Sequence, residues 1–394
     1  MLKTNIRLLS VFNFFIGFNL FWPIAILYFS KISGSYLLGG SVLGIIMLAS
    51  TIFELPTGIL SDMVGRKYTM VLGSWARVIA FLFYAIGLSY WILVVGAIFE
   101  GLSRAFYSGN NDALLFDTLA DNKAEDQFVE YQGKVSSTEQ LAMGISAILG
   151  GIIAYYSFSY LVWISLLPQV MMLITSYGIV DPKLHKKMDA NVFIHTKEAI
   201  MLFIKNRKLR LLSMASILSF SISELEWGFT SAFIATVWPV WAIGIPMMLS
   251  SFGASLSFFF SGKLIKRFKE INILLFDSIY GKIISLVSLG FPTVLSPLLM
   301  TTPSVLFGVG SVAERALMQR EFTNHQRATM SSLNSLGGSL GYTAMSLFLG
   351  SLADLVGAAR AMFILTLIGL PVIYLYWLIF KNDKEPQPVI SSSR

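Results

Sequence analysis

The chain has 394 residues, 55% of them hydrophobic and only 13% charged, with a mean hydropathy of +0.70. Soluble domains carry about a quarter charged residues, so most of this surface cannot face water. The net charge of +7 does not point to nucleic acid, because the charges sort by side of a membrane, and the absence of cysteine excludes disulfides, thiolate nucleophiles and zinc–thiolate sites.

The N-terminal MLKTNIRLLS runs directly into an apolar stretch with no small-residue cleavage site, and reads as the start of a first span. Apolar stretches then recur at 8–30, 37–60, 68–89, 91–118, 136–157, 159–180, 209–236, 239–261, 271–291, 296–319, 329–352 and 358–380. Each is close to the ~20 residues that a helix needs to cross the hydrocarbon core. The turns at 157–159 and 236–239 are short enough to require tight helical hairpins. No Asn-x-Ser/Thr sequon occurs.

With the N-terminus inside, 23 of the 29 Lys and Arg residues fall on the cytoplasmic side. Only Lys31 and Arg360 lie near outer loops. That asymmetry predicts both termini in the cytoplasm, in a bacterial inner membrane. Residues 1–180 are expected to form one six-helix bundle and 209–380 another. The polar segment 181–208 links them, with an amphipathic helix expected over 192–204. The tail 381–394 is polar, contains proline and is expected to be disordered.

The two halves show signs of repetition. Asn19-Leu20-Phe21-Trp22 in the first span parallels Glu224-Leu225-Glu226-Trp227 in the seventh, 205 residues on. Gly58-Ile59-Leu60 parallels Gly262-Lys263-Leu264 at an offset of 204.

After the second span the chain reads Gly58-Ile-Leu-Ser-Asp62-Met-Val-Gly65-Arg66-Lys67. This resembles the signature loop of the major facilitator superfamily, G-x-L-a-D-r-x-G-r-k. Phe53–Thr57, the stretch from Arg104 to Asp117, and Arg327–Ser331 resemble a bacterial, drug-efflux-like subgroup. The resemblance implies an all-α membrane protein of twelve transmembrane helices in two pseudo-symmetric six-helix bundles. It also implies alternating access about a central site lined by spans one, four, seven and ten.

Gly58 is expected to let helix backbones approach closely. Asp62 and Arg66 stand one helical turn apart. The resemblance sets Asp62 against the N-terminal end of span eleven, near Ala328–Ser331, where the helix dipole favours a carboxylate. It adds Asp117 as a partner of Arg66. Gly58, Asp62, Gly65, Arg66, Lys67 and Asp117 are therefore read as a cytoplasmic latch between the halves. Lys266 stands where a second Asp62 would align. Gly40-x-x-x-Gly44 and Gly337-x-x-x-Gly341 offer small-residue stripes on spans two and eleven, which the resemblance places side by side.

An ionisable residue inside a span costs about 2.5–3.5 kcal/mol on insertion scales, so each requires a reason. Glu100 and Arg104 stand at i, i+4 on span four, as a self-neutralising pair or a cavity pair. Glu224 and Glu226 lie near the centre of span seven with no basic residue nearby in sequence. Residues two apart on a helix point about 200° apart, so one lines the pathway while the other packs between helices or is protonated. A desolvated carboxyl group can pick up and release a proton near neutral pH, which makes Glu224 the preferred proton-coupling or cation-binding residue. Arg77 and Lys282, on spans that the resemblance puts outside the bundle, read as structural. Asp277 is a further charge within a span, and Glu314 with Arg315 could form a second latch. Asn19 is a further candidate in the cavity, and Phe18, Trp22, Tyr107 and Trp227 could provide an apolar surface for a lipophilic substrate.

No G-x-x-x-x-G-K-[ST] loop is present for ATP, so an ion gradient is the expected energy source, with no cofactor. Drug–proton antiporters of the superfamily carry g-x-x-x-G-P-x-x-G-G in span five. Here Gly150-Gly151 remain, but Ser146-Ala147 replaces Gly-Pro. The expected function is proton-coupled efflux of a small amphipathic or cationic compound by a monomer, with a proton-coupled uptake symporter as the alternative. An enzyme is disfavoured, because His185, His195 and His325 show no metal-ligand spacing. A receptor is disfavoured for want of a soluble output domain.

Overall fold

The structure, a computed structural model, describes residues 2–108, 110–124, 127–181, 206–320 and 327–384. The expected helix at 192–204, the tail beyond 384 and the three histidines lie outside them. The described chain is all helical. Among the described residues, eleven helices are long and apolar enough to cross a bilayer: spans one (Thr4–Ser33), two (Tyr36–Ser61), three (Arg66–Ile86), four (Tyr90–Ala120), five (Tyr131–Tyr156), six (Phe158–Gly178), eight (Val240–Phe268), nine (Glu270–Gly290), ten (Ser296–Met318), eleven (Leu333–Val356) and twelve (Ala358–Lys381). Span seven, Arg207–Ile234, has ample length at 28 residues. It falls outside the eleven through polarity, with SFSISELEW at its centre. Such a helix must turn its polar side into the bundle.

The helices form the two pseudo-symmetric six-helix halves that the sequence implies. One end of the molecule carries the first and last described residues and the ends of the 182–205 segment, and is called the linker end here. The other is the far end. The repeat is visible in the backbone. Gly65, at the turn between spans two and three, has φ 95° and ψ 159°. Lys269, at the equivalent turn of the second half, has φ 63° and ψ 150°. Glycine adopts that region freely, whereas lysine there costs on the order of 1 kcal/mol or more.

Span one is interrupted. Its helix stops at Gly17 and restarts as a 3-10 turn, Trp22–Ile24, before Ala25–Ser33. Pro23 suits the first positions of the restart, where its missing N–H leaves no bond unmade. Asn19 Oδ1 accepts from the amides of Phe21 (3.3 Å) and Trp22 (3.1 Å), supplying the acceptor that the break removes. A broken helix inside a membrane bundle is stable only where protein or a cavity surrounds it. Here span five surrounds it: a Cβ on Gly150 would stand 2.1 Å from the Leu20 carbonyl oxygen. Its neighbour Gly151 meets the other half, where a Cβ would lie 2.9 Å from the Trp241 carbonyl oxygen. Gly150→Val is therefore expected to lose about 3 kcal/mol, the upper end of overpacking costs, because the neighbour is rigid backbone. Fluorescence-detected size exclusion after a heating series reads this as a lowered melting temperature and yield.

Spans two and eleven join the halves, and the small-residue stripe on span two works as expected. A Cβ on Gly40 would lie 2.9 Å from the Ser346 carbonyl oxygen, and Gly44 faces Ser346 and Thr343. The stripe on span eleven does not. Gly337 and Gly341 face Ile217 and Ser221 of span seven instead. Span eleven lies between spans two and seven, and turns different faces to each.

Candidate functional site

The interruption of span one puts Asn19 and Trp22 on the wall of a central cavity of about 410 Å³ between the halves. Arg77, Arg104, Tyr107 and Trp227 line it too. A small cavity of about 30 Å³ continues past Arg104, Trp227, Glu224 and Tyr342. A third, of about 640 Å³, opens from Glu224 toward the linker end, between Glu54 of span two and Asp277 and Glu314 of the second half. Glu224 borders both of the latter cavities.

Glu100 is buried and holds two guanidinium groups with one oxygen. Its Oε1 lies 3.4 Å from Arg77 Nη1 and 3.4 Å from Arg104 Nε. Arg77 Nε also donates to Gln169 Oε1 at 2.8 Å, and the Arg104 guanidinium stacks over the Trp22 ring, 4.7 Å from its centroid. Glu100 Oε2 is buried without a hydrogen-bond partner among the described residues. The i, i+4 pair of the sequence is thus one side of a triad. Glu100 does not line the cavity, whereas Arg104 does. Arg77 was read as structural on the outside of the bundle, yet its side chain is long enough to pair with Glu100 and also reach the cavity wall.

The two glutamates of span seven diverge as the helix geometry demands. Glu224 faces the cavities. Glu226 points between helices, where its Oε1 accepts from Lys282 Nζ (2.9 Å) and Thr366 Oγ1 (3.0 Å). Lys282 and Thr366 come from spans nine and twelve, so Glu226 has the partner that no sequence neighbour could supply. No ion pair joins Glu224 to Arg104 among the described residues, although both border the small cavity. Tyr107 donates to Ser74 Oγ at 3.2 Å and lines the central cavity. Phe18 stacks on Phe14, with centroids 5.4 Å apart.

One lining group escaped the sequence reading. Glu139, on span five, borders the central cavity, and no hydrogen bond or ion pair reaches it among the described residues. It sits at the polar start of an apolar stretch, where nothing in the sequence separates a cavity carboxylate from a solvated one.

At the linker end, Arg66 Nε lies 3.6 Å from Asp117 Oδ2, and Arg66 Nη1 donates to Ser61 Oγ at 3.0 Å. Both ion-pair partners belong to the first half, so the pair braces that half and does not itself bridge the two. The Asp62 side chain and those of residues 319–332 lie outside the described residues, and with them the expected contact to span eleven. At Gly58 a Cβ would meet nothing within 4 Å among the described residues. Thr57 makes the contact with span four instead, donating to the Ala105 carbonyl at 3.2 Å. Gly65 has φ 95°, a backbone conformation that side chains rarely adopt, and a Cβ there would also crowd the Asp181 carboxylate. Asp181 Oδ1 in turn accepts from the Lys67 amide at 3.2 Å, capping span three.

A profile described as Major Facilitator Superfamily matches residues 7–342. An uncharacterized MFS-type transporter of Methanocaldococcus jannaschii is 23% identical over 360 residues, covering 89% of this chain and 91% of that protein. An uncharacterized transporter of Buchnera aphidicola is 26% identical over 175 residues, 44% of this chain and 43% of its own length. Among solved structures, the nucleoside transporter NupG superposes with a TM-score of 0.80 at 12% identity, covering 96% of this chain and 99% of that one. A bacterial homologue of the human lysosomal transporter Spinster, in an inward-facing and unoccupied conformation, superposes with a TM-score of 0.75 at 13% identity, covering 98% and 99%. At these identities the structural likeness concerns the fold.

Proposed function

Because the chain belongs to the major facilitator superfamily and is a membrane transporter of that fold, we propose that it exports a small amphipathic cation in exchange for protons, by alternating access. Residues 1–180 and 209–380 act as the two rocking bundles. The linker end faces the cytoplasm of a bacterial cell, as the location of 23 of the 29 Lys and Arg residues on that side supports. The protein works as a monomer.

The observation that carries this reading is Glu139. Both guanidiniums of the central cavity are already held, Arg77 by Glu100 and Gln169, Arg104 by Glu100 and Trp22. Glu139 is left without a direct hydrogen-bond or ion-pair partner among the described residues, in a cavity that also offers the indole of Trp227. A ligand ammonium would compensate it, and the ligand's apolar body would rest on the aromatic wall. Glu224, which borders the cavities without an ion-pair partner among the described residues, carries the coupling proton.

Dansylcadaverine, an amphipathic amine, and its neutral N-acetyl derivative form a matched pair of probes. Glu139→Gln is expected to weaken binding of the amine about ten-fold or more, by removal of a charge-assisted contact, and to leave the acetylated probe unaffected. Equal loss for both probes would reject cation recognition at Glu139. The alternative, proton-coupled uptake of a small nutrient, draws support from span five, where Ser146 donates to the Gly17 carbonyl (3.4 Å) in place of the Gly-Pro of the antiporter pattern. Flux in vesicles of defined orientation separates export from uptake.

A further inference from the structure

The far end of the molecule is closed by a contact that the sequence reading did not identify. Asp354, in the last turn of span eleven, accepts hydrogen bonds from the backbone amides of Tyr36 (2.6 Å) and Leu37 (2.8 Å). These are the first two residues of span two. One carboxylate from the second half thus satisfies two of the four orphan N–H groups at a helix start in the first half. The helix dipole adds to the attraction. Ser35 caps the next amide, accepting from Leu38 at 3.1 Å.

Below this cap the two helices touch backbone to backbone. A Cβ on Gly350 would lie 2.6 Å from the Tyr36 carbonyl oxygen, and Thr343 Oγ1 donates to the Gly44 carbonyl at 3.1 Å. Further toward the linker end they part. Ser50 and Glu54 of span two, and Asn334 and Gly338 of span eleven, stand on walls of the 640 Å³ cavity. One pair of helices is therefore closed at the far end and separated by a cavity toward the linker end.

We propose that Asp354 is a positioning residue of the transport cycle. It acts as the outer latch, whose release from the start of span two accompanies opening of the far end. The inference rests on the alternating-access reading but on no assumption about the substrate. Its counterpart is Asp62, at the other end of span two, which is expected to meet the start of span eleven. Each helix of the pair then offers a carboxylate to the first turn of the other, at opposite ends. Rocking the bundles closes one cap while it splays the other, so the two compete.

The chain contains no cysteine, which makes single-cysteine reporters clean. Ser346→Cys reports far-end opening, because Ser346 is fully buried in the contact. Ser216→Cys reports the linker-end cavity that its side chain lines. Asp354→Ala is expected to raise maleimide labelling of the first reporter about five-fold and to lower that of the second, the scale of one lost charged cap. Asp354→Glu restores most of the original balance, and Asp62→Asn shifts both reporters the opposite way. A rise at both reporters in Asp354→Ala means general loosening and overturns the latch. So do unchanged rates. If the reporters trade off in Asp62→Asn but not in Asp354→Ala, only the outer latch fails; if they never trade off, alternating access fails with it.

Discussion

Glu224→Gln is expected to reduce pH-gradient-driven transport in inverted vesicles to the level of vesicles lacking the protein. Substrate binding and counterflow exchange should persist. The argument begins with the cost of the residue. A carboxylate within a span is unfavourable by about 2.5–3.5 kcal/mol unless it is compensated. The two glutamates of span seven meet that cost differently. Glu226 accepts from Lys282 and Thr366, so it has no need of a mobile proton. Glu224 borders the small cavity and the 640 Å³ chamber, and no ion pair reaches it among the described residues. Gln keeps its shape and removes its proton chemistry. The matching control is Glu226→Gln, which should lower stability by leaving Lys282 unpaired while coupling survives. A Glu224→Gln protein that pumps normally would refute the coupling role.

Glu100→Gln is expected to be the most destabilising single substitution at the site, at about 3–5 kcal/mol. Glu100 is buried, and Arg77 with it, while the Arg104 side chain is 33% exposed. Neutralising the glutamate leaves two guanidiniums facing each other in a lipid-embedded core, one of them with little access to water. Removal of one member of a buried ion pair costs more than replacement of all members together, because it strands charge. A triple variant with Glu100→Gln, Arg77→Gln and Arg104→Gln should therefore recover part of the lost thermal stability in detergent. It should not recover transport, since Arg104 lines the central cavity. Equal melting temperatures for Glu100→Gln and the parent would show that the triad contributes nothing to folding.

These expectations differ in how far they could be read from the chain itself. Hydropathy alone delivers eleven of the twelve spans. Arg207–Ile234 is the weakest of the apolar stretches read from the chain, because the cavity-facing polarity of SFSISELEW lowers its average. The split between Glu224 and Glu226 follows from helix geometry, because residues two apart cannot share a face. Which of them meets the cavity does not follow, since Lys282 and Thr366 lie 56 and 140 residues away. The Arg66–Asp117 pair was legible through the family resemblance. A close approach belongs to one neighbour in one arrangement of the helices, and beside Gly58 the described contact passes through Thr57.

Sequence by itself determined that this chain lives in lipid, with twelve spans in two related halves and cationic turns at one end. Those properties are sums over local stretches, and each stretch must satisfy the bilayer on its own account. Only the tertiary structure decided which carboxylates have partners. Glu100 holds two arginines and Glu226 a lysine, Asp354 caps a helix of the other half, and Glu139 and Glu224 meet cavities. The reason is that compensation of charge in a membrane is a matter of a few ångströms between helices distant in sequence, and no local pattern encodes such a distance.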